Sequence, residues 1–340
     1  MRFGAIIGGP LTGIPEAARA VEDLGYESIW TAETGSSAFV AATLAAQATS
    51  KAKIGTAIAV AFPRSPAITA MTAVDIDELS GGRFILGLGT QVKRVNEQRF
   101  STPFEHPAPK MREYAQAVRA FIGGYFGEEP SFEGRFYNVT MAPWPRVPPP
   151  VRRDIPIYFA AVNKHMLRAS GAVADGVVGH PMTSVRYITE SVRPEIARGA
   201  EEAGRDPSEI RLSQQALISV ADDREKAKRE VKQQIGFYAT TRTYIPVLAA
   251  HGFEDVVGDL REAYAQKDMD KLASLVSDEM ADTFGIFGTV DEVKEKMKRF
   301  DDIVDEVVLG GPWYRVEMAR LIENYQLMLQ AFAPLADGAV

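Results

Sequence analysis

The chain has 340 residues, 46% hydrophobic and 24% charged, so it can bury a sizeable core and is neither disordered nor fibrous. Its 38 Lys and Arg against 45 Asp and Glu give a net charge of −7, which argues against a nucleic-acid partner bound through a broad basic surface. The chain has no cysteine and only four scattered histidines, which argues against disulfides, thiolate metal sites and a histidine-built metal centre.

The N-terminus begins with a short apolar run that lacks the length of a secretory signal. No later stretch reaches the roughly 18 consecutive apolar residues of a membrane span. We therefore expect a cytoplasmic protein without a membrane partner.

The first third of the chain alternates between compact apolar runs and helical patterns. Each apolar run ends in a turn signal, and the run at residues 54–60 is too continuously apolar for a strand with one exposed face. The helices are expected at about residues 15–24, 39–50 and 67–79. The predicted strands are residues 2–8, 26–31, 54–60 and 83–89.

The second half of the chain continues this rhythm with strands predicted at residues 156–160, 176–179, 212–220 and 306–309. Because hairpin signals are missing between the units, the strands should be parallel and joined by right-handed crossovers. Eight units predict an α/β fold, a (β/α)8 TIM barrel that forms a single domain over residues 1–340. The length beyond a minimal barrel is expected in two insertions: residues 128–153, with a short hairpin at 132–137, and residues 225–287, which read as helical.

The carboxyl ends of the predicted strands, where barrels bind their ligands, carry few catalytic side chains. They offer no Schiff-base lysine, no nucleophile with its base and no carboxylate cluster for a metal, which favours a cofactor enzyme over a cofactor-free lyase or hydrolase. Gly87-Leu88-Gly89 either receives a cofactor or simply allows close packing. Asn163 either caps a helix that begins near Lys164 or leaves N–H groups there for a phosphate.

The run Ile54 to Ala67 and the run Asp77-Glu78-Leu79-Ser80-Gly81-Gly82-Arg83-Phe84 through Gln91 resemble the luciferase-like monooxygenase superfamily. Within it, the chain is most similar to the branch that uses the deazaflavin coenzyme F420. Further matches are residues 28–33, 132–137, 174–176 and 287–289, so the resemblance extends over nearly the whole chain.

The resemblance implies a barrel whose cofactor ring stands against a bulge in the third strand, with a non-proline cis peptide at Ala57–Ile58. It places Glu33 at the polar edge of the ring and Thr90 and Gln91 at the ring or the ribityl chain. The cofactor phosphate is expected at Ala161, Val162 and Asn163, with Gly179 and His180 beside it. The family also implies a homodimer that packs through the helices near strands two and three.

Many relatives carry histidine after the acidic residue of strand two, where this chain has Thr34. Because threonine is not a base near neutral pH, Glu33 and His180 become the candidate catalytic residues for proton transfer. The alternatives are that Glu33 only accepts a hydrogen bond from the cofactor and that His180 only belongs to a loop or the phosphate site.

Two further sets of side chains fit this site. The first set is basic and either suits an anionic cofactor tail or consists of solvated loop charges: Arg64, Lys93, Arg94 and Arg99. The second set is aromatic and either lines an apolar substrate pocket or belongs to ordinary packing: Phe62, Trp144, Phe237, Tyr238 and Trp313.

The sequence therefore predicts an F420-dependent oxidoreductase that transfers a hydride between deazaflavin C5 and a small organic substrate. Two alternatives stay open. One is a luciferase-like monooxygenase that uses reduced FMN, and the other is a non-catalytic protein that binds a flavin or deazaflavin.

Overall fold

The computed structural model describes residues 1–334. Its centre is a closed parallel barrel with the hydrogen-bonded order β1–β2–β3–β5–β8–β9–β10–β12, in which β12 pairs with β1. The predicted TIM barrel is confirmed. The strands are β1 Phe3–Ile7, β2 Ser28–Thr31, β3 Lys53–Thr56, β4 Ala59–Val60, β5 Phe84–Gly89, β6 Phe132–Glu133, β7 Asn138–Val139, β8 Ile157–Ala160, β9 Gly176–Gly179, β10 Arg211–Val220, β11 Gly285–Gly288 and β12 Glu306–Gly310.

Helices cover the outside of the barrel. None of those within residues 1–334 is long and apolar enough to cross a membrane. A π-helical turn, Ile188–Val192, joins two of them. The α-helices are Ile14–Asp23, Ala38–Ala48, Pro66–Ser80, Lys93–Arg99, Pro107–Gly124, Lys164–Val173, Val185–Tyr187, Arg193–Glu202, Arg224–Ala239, Ile245–Ala249, Val257–Ala265, Met269–Leu275, Asp278–Phe284, Val290–Met297 and Met318–Ala331.

The third predicted strand differs from the structure. The run 54–60 is divided into β3 and β4 by a bulge, and both pieces pair with β5. The apolar run gave no sign of this interruption because the bulge residues Ala57 and Ile58 are themselves apolar.

A second difference lies at the end of the segment predicted to be helical from 225 to 287. Its helices end at Phe284, and Gly285–Gly288 forms β11 instead. The first part of the ten-residue strand β10 pairs with β9 and β12, while its last four residues extend further and pair with β11. Of these four residues only Leu217 also pairs with β12, so β11 supplies the strand partner of Ile218, Ser219 and Val220.

The predicted hairpin near 132–137 is confirmed, since β6 and β7 pair in antiparallel fashion. The chain then returns along the barrel without regular structure to Arg152, whose guanidinium binds the buried carboxylate of Asp77 with two nitrogens. Asp77 also accepts a hydrogen bond from the N–H of Phe84, and the side chain of Arg83 donates to the carbonyls of Ser80 and Thr49. The part of the family-like run from Asp77 to Phe84 thus stabilises the amino end of β5 and lies away from the carboxyl ends of the strands.

The amino end of the barrel is filled by large side chains. Trp30 is fully buried, and a Cβ on Gly55 would lie 2.4 Å from its indole ring. The carboxyl of Glu306 accepts hydrogen bonds from the hydroxyls of Ser28 and Ser213, and burial raises its pKa. Because this end is closed, a ligand of the barrel must enter at the carboxyl ends of the strands.

Candidate active site

The bulge between β3 and β4 has the cis peptide that the resemblance implies. The Ala57–Ile58 bond is cis, so that prediction is confirmed. Ala57 donates its N–H to the carbonyl of Thr31 at 2.7 Å, and Glu33 donates its N–H to the carbonyl of Ile58 at 3.2 Å. The bulge is therefore fixed to the end of β2.

Gly87 and Gly89 give this bulge its room. A Cβ on Gly89 would lie 2.7 Å from the side chain of Ile58 and 3.3 Å from the Cβ of Ala160. Close packing therefore explains both glycines of the Gly87-Leu88-Gly89 run. The same packing leaves backbone and small side chains, rather than bulky groups, beside Ile58 at the carboxyl ends of β5 and β8.

Glu33 lies beside the bulge, and its carboxylate is already engaged. Its Oε2 accepts hydrogen bonds from the N–H of Val60 at 2.7 Å and from Nη1 of Arg64 at 2.8 Å, and its Oε1 accepts one from Nη2 of Arg64. Arg64 also donates to the carbonyl of Val60. The side chain of Glu33 is only 9% exposed. These contacts make Glu33 an anchor that holds Arg64 and β4 in place.

Thr90 and Gln91 follow β5 at the same end of the barrel. Gln91 has a positive φ of 55° and is exposed, while the hydroxyl of Thr90 donates to its carbonyl at 3.0 Å. The buried side chain of Asn96 donates to the carbonyl of Thr90 and fixes the turn. The side chain of Gln91 is thus presented to solvent by an ordered backbone.

Ala161, Val162 and Asn163 join β8 to the helix Lys164–Val173. Asn163 stands at the N-cap position, yet its side chain does not cap the helix, so of the two alternatives for this residue the capping one is wrong. Its Nδ2 instead donates to the carbonyl of Thr243 at 3.1 Å. The N–H groups of Lys164 and His165, both exposed residues, cannot bond within the helix, and this terminus is therefore open to an anion.

His180 follows Gly179 at the end of β9 and packs between two tyrosines. Its ring stacks on Tyr244 with centroids 4.5 Å apart and meets the edge of Tyr238 at 4.7 Å. Nδ1 accepts the N–H of Met182 at 3.2 Å, which leaves the proton of the neutral ring on Nε2. Burial lowers the pKa of His180 to about 3. His180 is therefore a neutral hydrogen-bond donor at neutral pH.

This lowered pKa makes His180 a source of acid sensitivity. An unfolded histidine binds its proton near pH 6.5, whereas folded His180 stays neutral down to about pH 3, so its contribution to stability is full above pH 6.5 and declines below it. Between pH 7 and pH 5, the unfolding free energy of the parent should therefore fall by about 2 kcal/mol more than that of His180→Gln.

Urea unfolding at the two pH values measures this difference. His165→Gln is the matched control because it makes the same substitution at an exposed histidine. An equal loss of stability in His180→Gln and the parent would contradict the prediction.

Of the five aromatic residues predicted near a substrate, three come together. Phe237, Tyr238 and Trp313 form one cluster with Tyr314, while Phe62 packs against Phe104 and Trp144 lies in the exposed 128–153 segment. The sequence did not indicate Tyr244 or Gln234, whose Oε1 accepts the N–H groups of Trp313 and Tyr314. No local signal connects these residues, which lie far apart along the chain.

The four basic residues predicted near the mouth have partners within the protein. Arg64 pairs with Glu33, and Arg99 donates to the carbonyl of Thr34 at 2.6 Å. Lys93 lies 3.7 Å from Glu97, and Arg94 donates to Gln98 at 2.9 Å within the same helix. Lys93 and Arg94 are exposed, so these surface contacts leave them accessible to an anion.

The chain is similar to known proteins over most of its length. A family model described as luciferase-like monooxygenase matches residues 4–306. The chain is 37% identical over 314 residues to an uncharacterized protein of Mycobacterium tuberculosis, covering 91% of this chain and 92% of that protein. It is 31% identical over 314 residues to 5,10-methylenetetrahydromethanopterin reductase of Methanolobus tindarius, covering 89% and 91%. The solved structure of the coenzyme F420 dependent tetrahydromethanopterin reductase of Methanopyrus kandleri superposes with a TM-score of 0.80 at 26% identity, covering 97% of each chain.

Proposed function

Because the chain belongs to the luciferase-like monooxygenase family of oxidoreductases, we propose that it uses coenzyme F420 to transfer a hydride to or from a small organic substrate. The observation that carries the choice of F420 is the likeness to an F420-dependent reductase over 97% of both chains. The family description as monooxygenase supports the alternative, reduced FMN, which would use the same end of the barrel.

The residues at the carboxyl ends of the strands fit such a cofactor. The Ala57–Ile58 bulge, beside the small residues Gly89 and Ala160, would support a planar ring. Glu33, Thr90 and Gln91 would meet the polar edge of the ring and the ribityl chain. The open helix terminus after Asn163, with Ala161, Val162, Gly179 and His180, would hold the phosphate. Bound F420 supplies the hydride at C5.

The protein's own groups orient, hold and shield rather than react covalently. Nε2 of His180 would donate a hydrogen bond to cofactor or substrate. A neutral imidazole is not an acid near neutral pH, and Nδ1, where the proton of the charged form would bind, already accepts the N–H of Met182, so His180 does not serve as a proton donor in this contact. Glu33 would act by holding Arg64 and the bulge, and its role as a proton carrier remains the competing hypothesis.

Equilibrium titration with oxidised F420 and with FMN tests the cofactor assignment. We expect F420 to bind at least about tenfold more tightly than FMN, a difference of about 1.4 kcal/mol. Tight FMN binding without measurable F420 binding would favour the monooxygenase. Binding without turnover on a broad panel of substrates, together with no effect of Glu33→Gln, would favour the non-catalytic binding protein.

The phosphate site makes a separate prediction about Asn163. Asn163→Asp would place a negative charge where the phosphate is proposed, so F420 affinity should fall about 10- to 100-fold. Its effect on stability should be small, because the gain from a helix cap offsets the lost hydrogen bond to the carbonyl of Thr243. Asn163→Ser is the matched control, because serine caps the helix without charge and should weaken binding less. Isothermal titration and thermal unfolding provide the two measurements. Equal affinities of the Asp and Ser variants would exclude a phosphate at this terminus.

We also propose a cytoplasmic homodimer. The helices that follow β2 and β4 present large apolar side chains to solvent: Val40, Ile68, Met71 and Leu79 are between 43% and 54% exposed. Exposed apolar patches of this kind are typical of interfaces. Sedimentation equilibrium measures the assembly, and a monomer at micromolar concentration would contradict it.

A further inference from the structure

An aromatic wall lines one side of the barrel mouth. We define it as Trp313, Tyr238, Phe237 and Tyr314, which follow the carboxyl ends of β12 and β10. Phe237 and Tyr314 stack with centroids 4.1 Å apart, and Trp313 meets the edge of Phe237 at 5.4 Å. Tyr238 continues the wall to His180, whose ring it contacts at 4.7 Å.

The barrel order places this wall across the mouth from the bulge. From β3, the strand β10 is reached in four steps through β5, β8 and β9, and also in four steps through β2, β1 and β12. Phe237 and Tyr238 lie at the end of the helix Arg224–Ala239, and the contact of Tyr238 with His180 places them beside the end of β9, whereas Trp313 and Tyr314 follow β12. Because β9 and β12 each lie three strands from β3 around the barrel, the wall and the Ala57–Ile58 bulge lie on opposite sides of the same open end.

Trp313 is exposed but held in one orientation. Its indole Nε1 donates to the hydroxyl of Tyr238 at 3.3 Å, and its backbone N–H donates to Gln234 at 2.9 Å. Gln234 itself is fully buried. Burial raises the pKa of Tyr238 to about 12, so its hydroxyl stays protonated and keeps a hydrogen of its own to donate. Half of the Trp313 surface nevertheless remains open to solvent, at 50%.

Trp144 provides the contrast within the same chain. It is 68% exposed, and among residues 1–334 its indole nitrogen has no hydrogen-bond partner and its ring has no aromatic neighbour. An exposed indole with no fixed orientation is ordinary surface. The Trp313 indole is different, because a buried glutamine and a tyrosine already fix its orientation. Binding a ligand to it therefore costs less side-chain conformational entropy.

We infer that the aromatic wall is the substrate-binding surface and that Trp313 selects planar, conjugated substrates over saturated ones of similar size. This inference rests on the proposed function, because it identifies the ligand of the aromatic wall as the substrate of the proposed reaction. A flat π-system can lie against the open face of Trp313 opposite the bulge, whereas a puckered ring contacts fewer of its atoms. Aromatic pairs gain affinity beyond the area that they bury, which corresponds to about 2- to 12-fold in binding.

Two matched probes test this selection on the full-length protein, both free and saturated with F420. They are 2-naphthoate, which is flat, and decahydro-2-naphthoate, which has the same carbon skeleton and carboxylate but saturated rings. Because both carry the same charge, the ratio of their dissociation constants reports the shape and π character of the surface. We expect 2-naphthoate to bind about 3- to 10-fold more tightly to the parent protein.

Trp313→Leu should remove this preference, and Trp144→Leu should preserve it, while both variants keep the F420 dissociation constant within about twofold. Equal affinities of the probes for the parent, no detectable binding of either, or a preference unchanged by Trp313→Leu would overturn the inference. Failure of F420 to bind, with the naphthoate preference present in the parent and lost in Trp313→Leu, would refute the cofactor assignment and leave the wall as a site for planar ligands.

Discussion

Gly87→Ala is expected to prevent the chain from folding to a stable barrel, with a loss of more than about 4 kcal/mol. A Cβ at this position would lie 1.7 Å from the carbonyl oxygen of Thr56, and a backbone atom of a central strand cannot move aside. The same two residues are joined by hydrogen bonds through Oγ1 of Thr56, which accepts from the N–H of Gly87 at 2.9 Å and donates to its carbonyl at 2.7 Å.

Soluble yield and thermal unfolding followed by circular dichroism measure this effect. Gly258→Ala is the matched control because a Cβ there meets nothing within 4 Å, and alanine near the start of a helix should keep or slightly raise the melting temperature. A Gly87→Ala protein that melts within a few degrees of the parent would show that β3 and β5 separate easily. The bulge that begins one residue after Thr56 would then not be held in a fixed position.

Arg64→Ala should have the second largest effect, on both stability and cofactor affinity. Removing the guanidinium leaves the carboxylate of Glu33, 9% exposed, with the N–H of Val60 as its only remaining hydrogen-bond partner within residues 1–334. An unpaired buried charge costs about 3–5 kcal/mol of unfolding free energy. Because Arg64 is partly exposed, we expect a loss at the lower end, about 3 kcal/mol. Because the pair fixes the bulge, F420 affinity should fall about 100-fold.

The double variant Arg64→Ala with Glu33→Gln separates the lost charge pair from lost packing. A neutral amide tolerates burial better than a carboxylate, so the double variant should be more stable than Arg64→Ala alone. Urea unfolding of the four proteins of this cycle gives the coupling between the two residues. Losses that simply add would mean that the two side chains do not depend on each other.

The single variant Glu33→Gln distinguishes an anchor from a proton carrier. If Glu33 holds the bulge, the variant weakens F420 binding and leaves the pH profile of kcat in place. If Glu33 carries a proton, kcat falls by about 100-fold or more while the F420 dissociation constant stays the same, and the acid limb of the profile disappears. Both readouts come from one set of steady-state and titration measurements.

Much of the fold was predictable because the strand signal is local. Seven of the eight predicted strands lie within a few residues of their place, since continuous apolar runs between turn residues mark buried parallel strands. The third was one run of apolar residues that the structure divides in two, and β11 was hidden because Gly285–Gly288 is short and follows a helical segment. Neither a bulge nor an added edge strand changes the apolar pattern that the prediction used.

The helix terminus at Asn163 shows where local reasoning fails. Asparagine before a helix predicts a cap, but the side chain turns to the carbonyl of Thr243, which is 80 residues away in sequence. Likewise, the sequence left Arg64 either beside an anionic cofactor tail or as a solvated loop charge, and its partner in the structure is Glu33. In both cases a hydrogen-bond partner from another part of the chain competes with the local one, and only the fold determines which is in reach.

By itself, the sequence determined the barrel and indicated the end at which a ligand is expected, because alternation of strand and helix and the direction of parallel strands are properties of the chain order. It also indicated that the chemistry belongs to a cofactor, since the strand ends hold few reactive groups. Only the tertiary structure decided which groups meet there. It assigned Glu33 to Arg64, made His180 neutral by burying it between two tyrosines, and brought Trp313 and Tyr238 together across the mouth from the bulge. Burial and contact between distant residues set these properties, and neither is written in any short stretch of sequence.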